Sequence, residues 1–300
     1  MLNKVMLNTL TAKHLSFCGY SVLISTLLAT FNALACDGQI TPITQKNTNN
    51  HYDVFNTGTY ALQQDFTLET STSCETQLVI STLDQSNTVT GFGQQLQFGF
   101  YASSGESKSH QITFTPLQGD TSHNFSLRYL SGQYAAAGSL SNTLKAQLIN
   151  KATQQVISAQ EFELTTQVTA SAAVYFSGLN ERHTFVDLGA LSSNKVISHL
   201  PTLRVISTSP YVVNFSSDGL GKLTHATGNP QWFIDYQLMV NQDTLELSNG
   251  KQKWQATQMT SQLGELISLS MRIGNTEQKP AGDYQDTIHI SVLPELTIAP

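Results

Sequence analysis

From residue 37 onward the chain is a succession of short runs in which apolar and polar residues alternate. DFTLE (65–69), QLVIS (77–81), QQLQFGF (94–100), QITFT (111–115), NFSLRYL (124–130) and TLKAQLI (143–149) are examples from the first half. Residues 160–166, 168–176, 202–207, 211–215, 234–240, 266–273 and 287–293 continue the pattern. A period of two gives each run one apolar face, as a half-buried strand requires. Turn-forming residues separate the runs, and helical periodicity is nearly absent. Many short strands at this spacing predict an all-β chain built as sandwiches or barrels. The closing run is the most informative. In PAGDYQDTIHISVL (280–293), Pro280 and Gly282 punctuate a turn. Ile288, Ile290 and Val292 then alternate with Thr287, His289 and Ser291, and seven residues follow. An apolar strand at a sheet edge has to be covered by something.

The start of the chain reads differently. Lys4 and Lys13 precede and flank a mostly apolar stretch at 15–31, and Ala33-Leu34-Ala35 forms a small-residue cleavage site before Cys36. Residues 1–35 are therefore expected to be a secretory signal. An uncleaved anchor and a lipoprotein acylated at Cys36 are the alternatives, the second weakened by Ala33 where a lipobox usually has Leu. Cleavage removes Cys18 and leaves Cys36 and Cys74, an even count in an oxidising compartment, so these two are expected to pair. It also removes two lysines and no acid, leaving 13 basic against 21 acidic residues, a formal charge of −8. That balance argues against nucleic-acid binding, which needs a basic face. Few charges and abundant Ser, Thr, Asn and Gln suit an extracellular β-protein. The mature length allows two ordinary domains, expected at 36–165 and 166–300, with a continuous strand over 161–173 between them.

No catalytic constellation stands out: there is no G-x-S-x-G, P-loop, H-E-x-x-H or G-x-G-x-x-G. The eight histidines are scattered; His110 with His123, or His183 with His199, could approach in a sandwich, but strand and loop histidines are the plainer reading. Asp283 and Asp286 fit turn hydrogen bonds beside Gly282 better than a calcium site. No enzyme activity, cofactor or metal is expected. Phe92, Phe98, Phe100 and Tyr101 cluster around Gly91, Gly93 and Gly99 and are candidate surface-binding aromatics. The alternative is that Leu96, Phe98 and Phe100 form the core side of one strand.

The second half carries a resemblance. VTASAAVYFSG (168–178), FVDLGAL (185–191), LRVISTSPYVVNFSSDGLGKL (203–223), IDYQLMVN (234–241) and AGDYQDTIHISV (281–292) occur in an order that resembles the spore coat protein U-like domain, the pilin domain of archaic, Csu-type chaperone–usher pili. The first half matches less well, through Cys36, Cys74 and YAAAGSLSNTLKAQLIN (134–150). The resemblance implies two immunoglobulin-like sandwiches, the second incomplete and lacking its last strand. It implies a hydrophobic acceptor groove, filled first by a periplasmic chaperone and then by the donor strand of an adjacent pilus subunit. Its rims would be Val168, Ala170, Ala172 and Val174 on one side and Ile288, Ile290 and Val292 on the other. It implies an outer-membrane usher, a surface receptor, and export through the periplasm to a cell-surface fimbria. Asp37 to Asn50 is polar, contains Pro42, and has only Ile40 and Ile43 as aliphatics, at a spacing unsuited to a donor. A tip or minor adhesive subunit is therefore expected. An ordinary shaft or spore-coat-type structural subunit is one alternative, and a secreted carbohydrate-binding sandwich is another.

Overall fold

A computed structural model describes residues 36–178 and 183–295. The expected signal, 1–35, lies outside the described residues. The first half contains β1 (Gly38–Ile40), β2 (Thr44–Gln45), β3 (His51–Tyr52), β4 (Tyr60–Thr82), β5 (Thr88–Gly91), β6 (Gln94–Tyr101), β7 (Glu106–Lys108), β8 (Gln111–Leu130), β9 (Gly138–Asn150) and β10 (Val156–Val168). The second contains β11 (Ala172–Phe176), β12 (Val196–Ile197), β13 (Leu203–Ser207), β14 (Tyr211–Ser217), β15 (Lys222–His225), β16 (Phe233–Val240), β17 (Asp243–Leu245), β18 (Gln252–Ala256), β19 (Glu265–Ile267), β20 (Leu269–Ile273), β21 (Tyr284–Gln285) and β22 (Ile288–Pro294). Among the described residues the chain is all-β apart from one short 3-10 turn at Leu247–Asn249.

In the first half, runs that read as separate strands are parts of longer ones. Residues 65–69 and 77–81 both belong to β4, and 111–115 and 124–130 both belong to β8. These two strands pair along their whole length, with Thr72 opposite Gly119 and Thr76 opposite Leu117. Four residues of β4 thus advance against two of β8, and such a bulge bends a strand pair. Past this corner, β4 also pairs with β9, from Thr76–Asn150 to Thr82–Leu144. The ladder continues through β8, β6, β5 and β9 back to β4, so the two layers are hydrogen-bonded into one folded sheet. Its core contains Leu78, Ile80, Leu96, Leu127, Tyr129 and Leu148, each fully buried. A buried polar chain crosses it: Thr166 Oγ1 donates to the Tyr129 hydroxyl (2.8 Å), which donates to Gln64 Oε1 (3.1 Å), whose Nε2 donates to the Thr165 carbonyl (3.0 Å). Burial without a charged partner raises the Tyr129 phenol above its ordinary range.

The strand expected over 161–173 is interrupted. Val168 is buried in the first core, opposite Gly138 and Tyr52. Residues 169–171 then form a connector held by Thr208: its Oγ1 donates to the Thr169 carbonyl (3.0 Å) and accepts from Ser171 N–H (2.9 Å). The Ala137 N–H donates to the Thr208 carbonyl (2.8 Å), and the Tyr134 hydroxyl reaches the carbonyls of Ser207 (2.5 Å) and Thr260 (3.0 Å).

In the second half, β11, β13 and β19 form one ladder. Ser268, which donates from its N–H to Asn241 Oδ1 (2.8 Å), separates β19 from β20, and β20 continues beside β16. The facing layer has the order β18–β14–β22. Val205, Tyr211, Val213, Phe215, Ile267 and Ile273 fill the second core between them.

Candidate functional site

An immunoglobulin-type sandwich closes with a last strand, G, in the C–F–G layer beside the penultimate strand. Here β14 and β22 stand in the C and F places. β22 pairs with β14 along one edge, Tyr211–Pro294 to Ser217–Ile288, and no described residue pairs with its other edge. The place of G is an opening of about 1070 Å³ into the second core.

Two rims bound this opening. On one, Ile288, Ile290 and Val292 face the core and are only half-buried, while His289, Ser291 and Leu293 point away. On the other lies the segment 184–191. Thr184, Val186 and Leu188 are half-buried, and Phe185, Asp187 and Gly189 are exposed, Phe185 to 96%. This is the period-two pattern of a strand, yet among the described residues 183–191 makes no backbone–backbone hydrogen bond. Side chains fasten it instead. Lys195 Nζ donates to the carbonyls of Leu188 (3.2 Å) and Ala190 (2.6 Å), and the His199 ring is 3.1 Å from the Asp187 carbonyl. The opening therefore presents half-buried apolar side chains between the free edge of β22, unpaired among the described residues, and a segment whose Asp187, Leu188 and Ala190 carbonyls are met only by side chains. Buried or half-buried backbone groups without partners are costly, and the geometry calls for an intervening strand.

Asp286 holds the start of the β22 rim in place. Its Oδ2 accepts from the Ser217 hydroxyl (2.5 Å) and the buried Tyr236 hydroxyl (2.6 Å), and its Oδ1 from the N–H groups of Gly219 and Thr287 (2.8 Å each). Burial, and next the hydrogen bond to this carboxylate, raise the Tyr236 phenol. Gly219 is required there, because a Cβ would meet Asp286 Oδ1 at 3.1 Å and collide with the Lys222 carbonyl.

The residues read from the sequence fall as follows. Ile288, Ile290 and Val292 line up along β22. Ala172 and Val174 lie on β11, which pairs with β13 and approaches β22 within 8 Å. Val168 and Ala170 do not join that rim: Val168 is 1% exposed in the first core, and Ala170 sits in the connector. The rim instead continues into 184–191, the segment that carries FVDLGAL (185–191). Cys36 and Cys74 are disulfide-bonded, with Cα atoms 5.4 Å apart. Among the aromatics, Phe98 and Phe100 are each 3% exposed and belong to the first core, because they alternate with Gln97 and Gly99 along β6. They are not surface groups. Phe92 is 79% exposed in the β5–β6 turn, where its ring lies near Gly138, and Tyr101 is 39% exposed at the end of β6. His123 is buried against Phe114 with its Nε2 3.0 Å from Thr70 Oγ1, so it sits in the core.

The segment 37–46 is not a loose leader. β1 pairs with Thr70–Thr72 and β2 with Phe66–Thr67 of β4, the N–H groups of Thr41 and Lys46 donate to the Glu69 and Asp65 carbonyls, and Ile40 and Ile43 pack on the first core.

No family model and no curated protein sequence matches the chain. Among solved structures, the CsuC–CsuE chaperone–tip adhesion subunit pre-assembly complex from archaic chaperone–usher Csu pili of Acinetobacter baumannii is similar over 73% of this chain and 84% of that one, at 16% identity and a TM-score of 0.41. A point mutant of the CFA/I enterotoxigenic E. coli adhesin CfaE is similar over 87% and 81%, at 12% identity and a TM-score of 0.36. Self-complemented MyfA, the major subunit of Myf fimbriae from Yersinia enterocolitica, is similar over 43% and 98%, at 15% identity and a TM-score of 0.32.

Proposed function

We propose that this protein is the tip subunit, an adhesin, of an archaic chaperone–usher pilus, with a binding unit ending at Val168 and a pilin unit beginning at β11, after the connector 169–171. The observation that carries the reading is a combination. The second half has an open place for one strand, and the segment after the expected cleavage site is spent inside the first half's own sheet. A subunit with an open acceptor and a committed N-terminal segment accepts a strand and donates none, which suits the end of a fibre. The occupant enters by strand addition: its backbone pairs with β22 and with 184–191, and its alternating side chains fill the opening. A periplasmic chaperone provides that strand first and the adjacent subunit later, with an usher exporting the assembly to the cell surface.

The test is capture. Ile290→Asp places a charge on the half-buried rim and is expected to abolish co-purification with the cognate chaperone. Normal capture by that variant would sink the assignment of the groove. Immunogold labelling of intact fibres tests the polarity separately: one label at the free end is expected, and labelling along the shaft would favour a shaft subunit.

A further inference from the structure

The first half carries a side-chain cluster that strand complementation does not use. On the outer face of β4, β8 and β6, Gln63 stands opposite Arg128, and Arg128 opposite Gly99; one row along, Asp65 stands opposite Ser126, and Ser126 opposite Tyr101. Arg128 is the sole arginine before residue 169. Its guanidinium carbon lies 4.2 Å from the Tyr101 ring centre and 5.2 Å from that of Tyr60. The two rings meet edge to face, with their hydroxyls 3.4 Å apart. Tyr101 lies over Gly99, where a Cβ would come within 3.1 Å of the ring.

The polar groups around the cluster are locked. Asp65 Oδ1 accepts from Gln63 Nε2 (2.8 Å) and the Ser126 hydroxyl (2.6 Å), and its Oδ2 accepts from Asn47 Nδ2 (2.9 Å). Gln63 Oε1 in turn accepts from Arg128 Nε (3.0 Å). Asp65 is thereby occupied by neutral donors, and Arg128 has no carboxylate within 4.0 Å among the described residues. Tyrosine and arginine over Ser, Gly and Asn is the composition of recognition surfaces, because rigid rings give contact area at small entropic cost. A planar guanidinium without an acidic partner is fitted to take a carboxylate in a two-pronged hydrogen bond.

We propose that this face binds an acidic polysaccharide, with a uronic-acid carboxylate on Arg128 and the apolar face of a sugar ring on Tyr101. The cluster is an open sheet face rather than a cavity, and an extended polymer lies along such a face where a small molecule needs an enclosing pocket. The surface is independent of the acceptor groove, so the two assignments stand or fall separately.

The experiment is a calorimetric titration of the chaperone-held full mature chain with hexagalacturonate, and with cellohexaose as the uncharged comparison. The uronate is expected to bind, and cellohexaose to bind at least about tenfold more weakly, the factor that corresponds to about 1.4 kcal/mol. Arg128→Lys keeps the charge and removes the fork, and Tyr101→Ala removes the ring; each is expected to weaken uronate binding by about tenfold or more, with a cooperative unfolding transition retained. Absence of uronate binding, equal affinity for the two oligosaccharides, or unaltered binding by both variants would overturn the proposal.

Discussion

The N-terminal segment offers the sharpest test of how the fold limits assembly. Ile40 and Ile43 are half-buried against the first core, and β1 and β2 pair with β4 beside them. Truncating a fully buried isoleucine to alanine costs about 2–5 kcal/mol. At half burial each site contributes about 1–2 kcal/mol, so Ile40→Ala with Ile43→Ala should destabilise the first half by about 2–4 kcal/mol. With a urea dependence of about 2 kcal/mol per molar, the midpoint should fall by about 1–2 M. The sequence supplies the assay. Both tryptophans, Trp232 and Trp254, belong to the second half, so their fluorescence reports that half alone, whereas far-ultraviolet circular dichroism reports both. In the chaperone-held chain the double variant should lower the dichroism transition and leave the tryptophan transition in place. A dichroism midpoint within about 0.3 M of the parent would refute the idea that this segment is built into the fold. Such a result would mean that 37–46 is not held in the first half's sheet.

Further outcomes follow from the same geometry. Asp286→Ala leaves the Ser217 and Tyr236 hydroxyls and the Gly219 N–H without their acceptor, and should cost about 3–5 kcal/mol, read as an earlier tryptophan-monitored unfolding transition. Replacing Cys36 and Cys74 by serine opens a loop of 38 residues and should cost the first half about 3–4 kcal/mol, measured by urea unfolding. His123 is held below its ordinary imidazole value by burial, so the folded state binds fewer protons than the unfolded one. Its contribution is present above about pH 6.5 and is lost as pH falls below that value; the first-half urea midpoint should drop from pH 7.5 to pH 5, and His123→Leu should flatten the dependence.

Much of this was legible in the sequence, for a definite reason. Strands with one apolar face announce themselves at period two, which located β6, β14, β16 and β22 closely. The corner of the first half did not announce itself. There the inward positions are Thr70, Thr72 and Thr76, buried hydroxyls that bond to His123, the Cys74 carbonyl and the Leu117 carbonyl. Their polarity breaks the apolar alternation, so one bent strand reads as two. Phe98 and Phe100 show the opposite limit. An aromatic run beside glycines fits either a binding loop or a core strand, and only the pairing of β6 with β8 decides for the core. For the groove, the β22 rim was readable from its own residues. The opposite rim was not, because 184–191 has the pattern of a strand without a partner to pair with, and pairing is what a single sequence conceals.

The connector between the halves has a mechanical consequence. Tension applied to the first half would reach the second by two routes. One is the covalent path through 169–171. The other is the set of hydrogen bonds from Ala137 and Tyr134 to Thr208, Ser207 and Thr260. The second route is the weaker and yields first, and the halves then swing on three residues of chain while each keeps its own core. When the pull relaxes, the same hydroxyl and amide find their carbonyls again. Under load such a junction would part before either sandwich unravels and re-form when the load is removed.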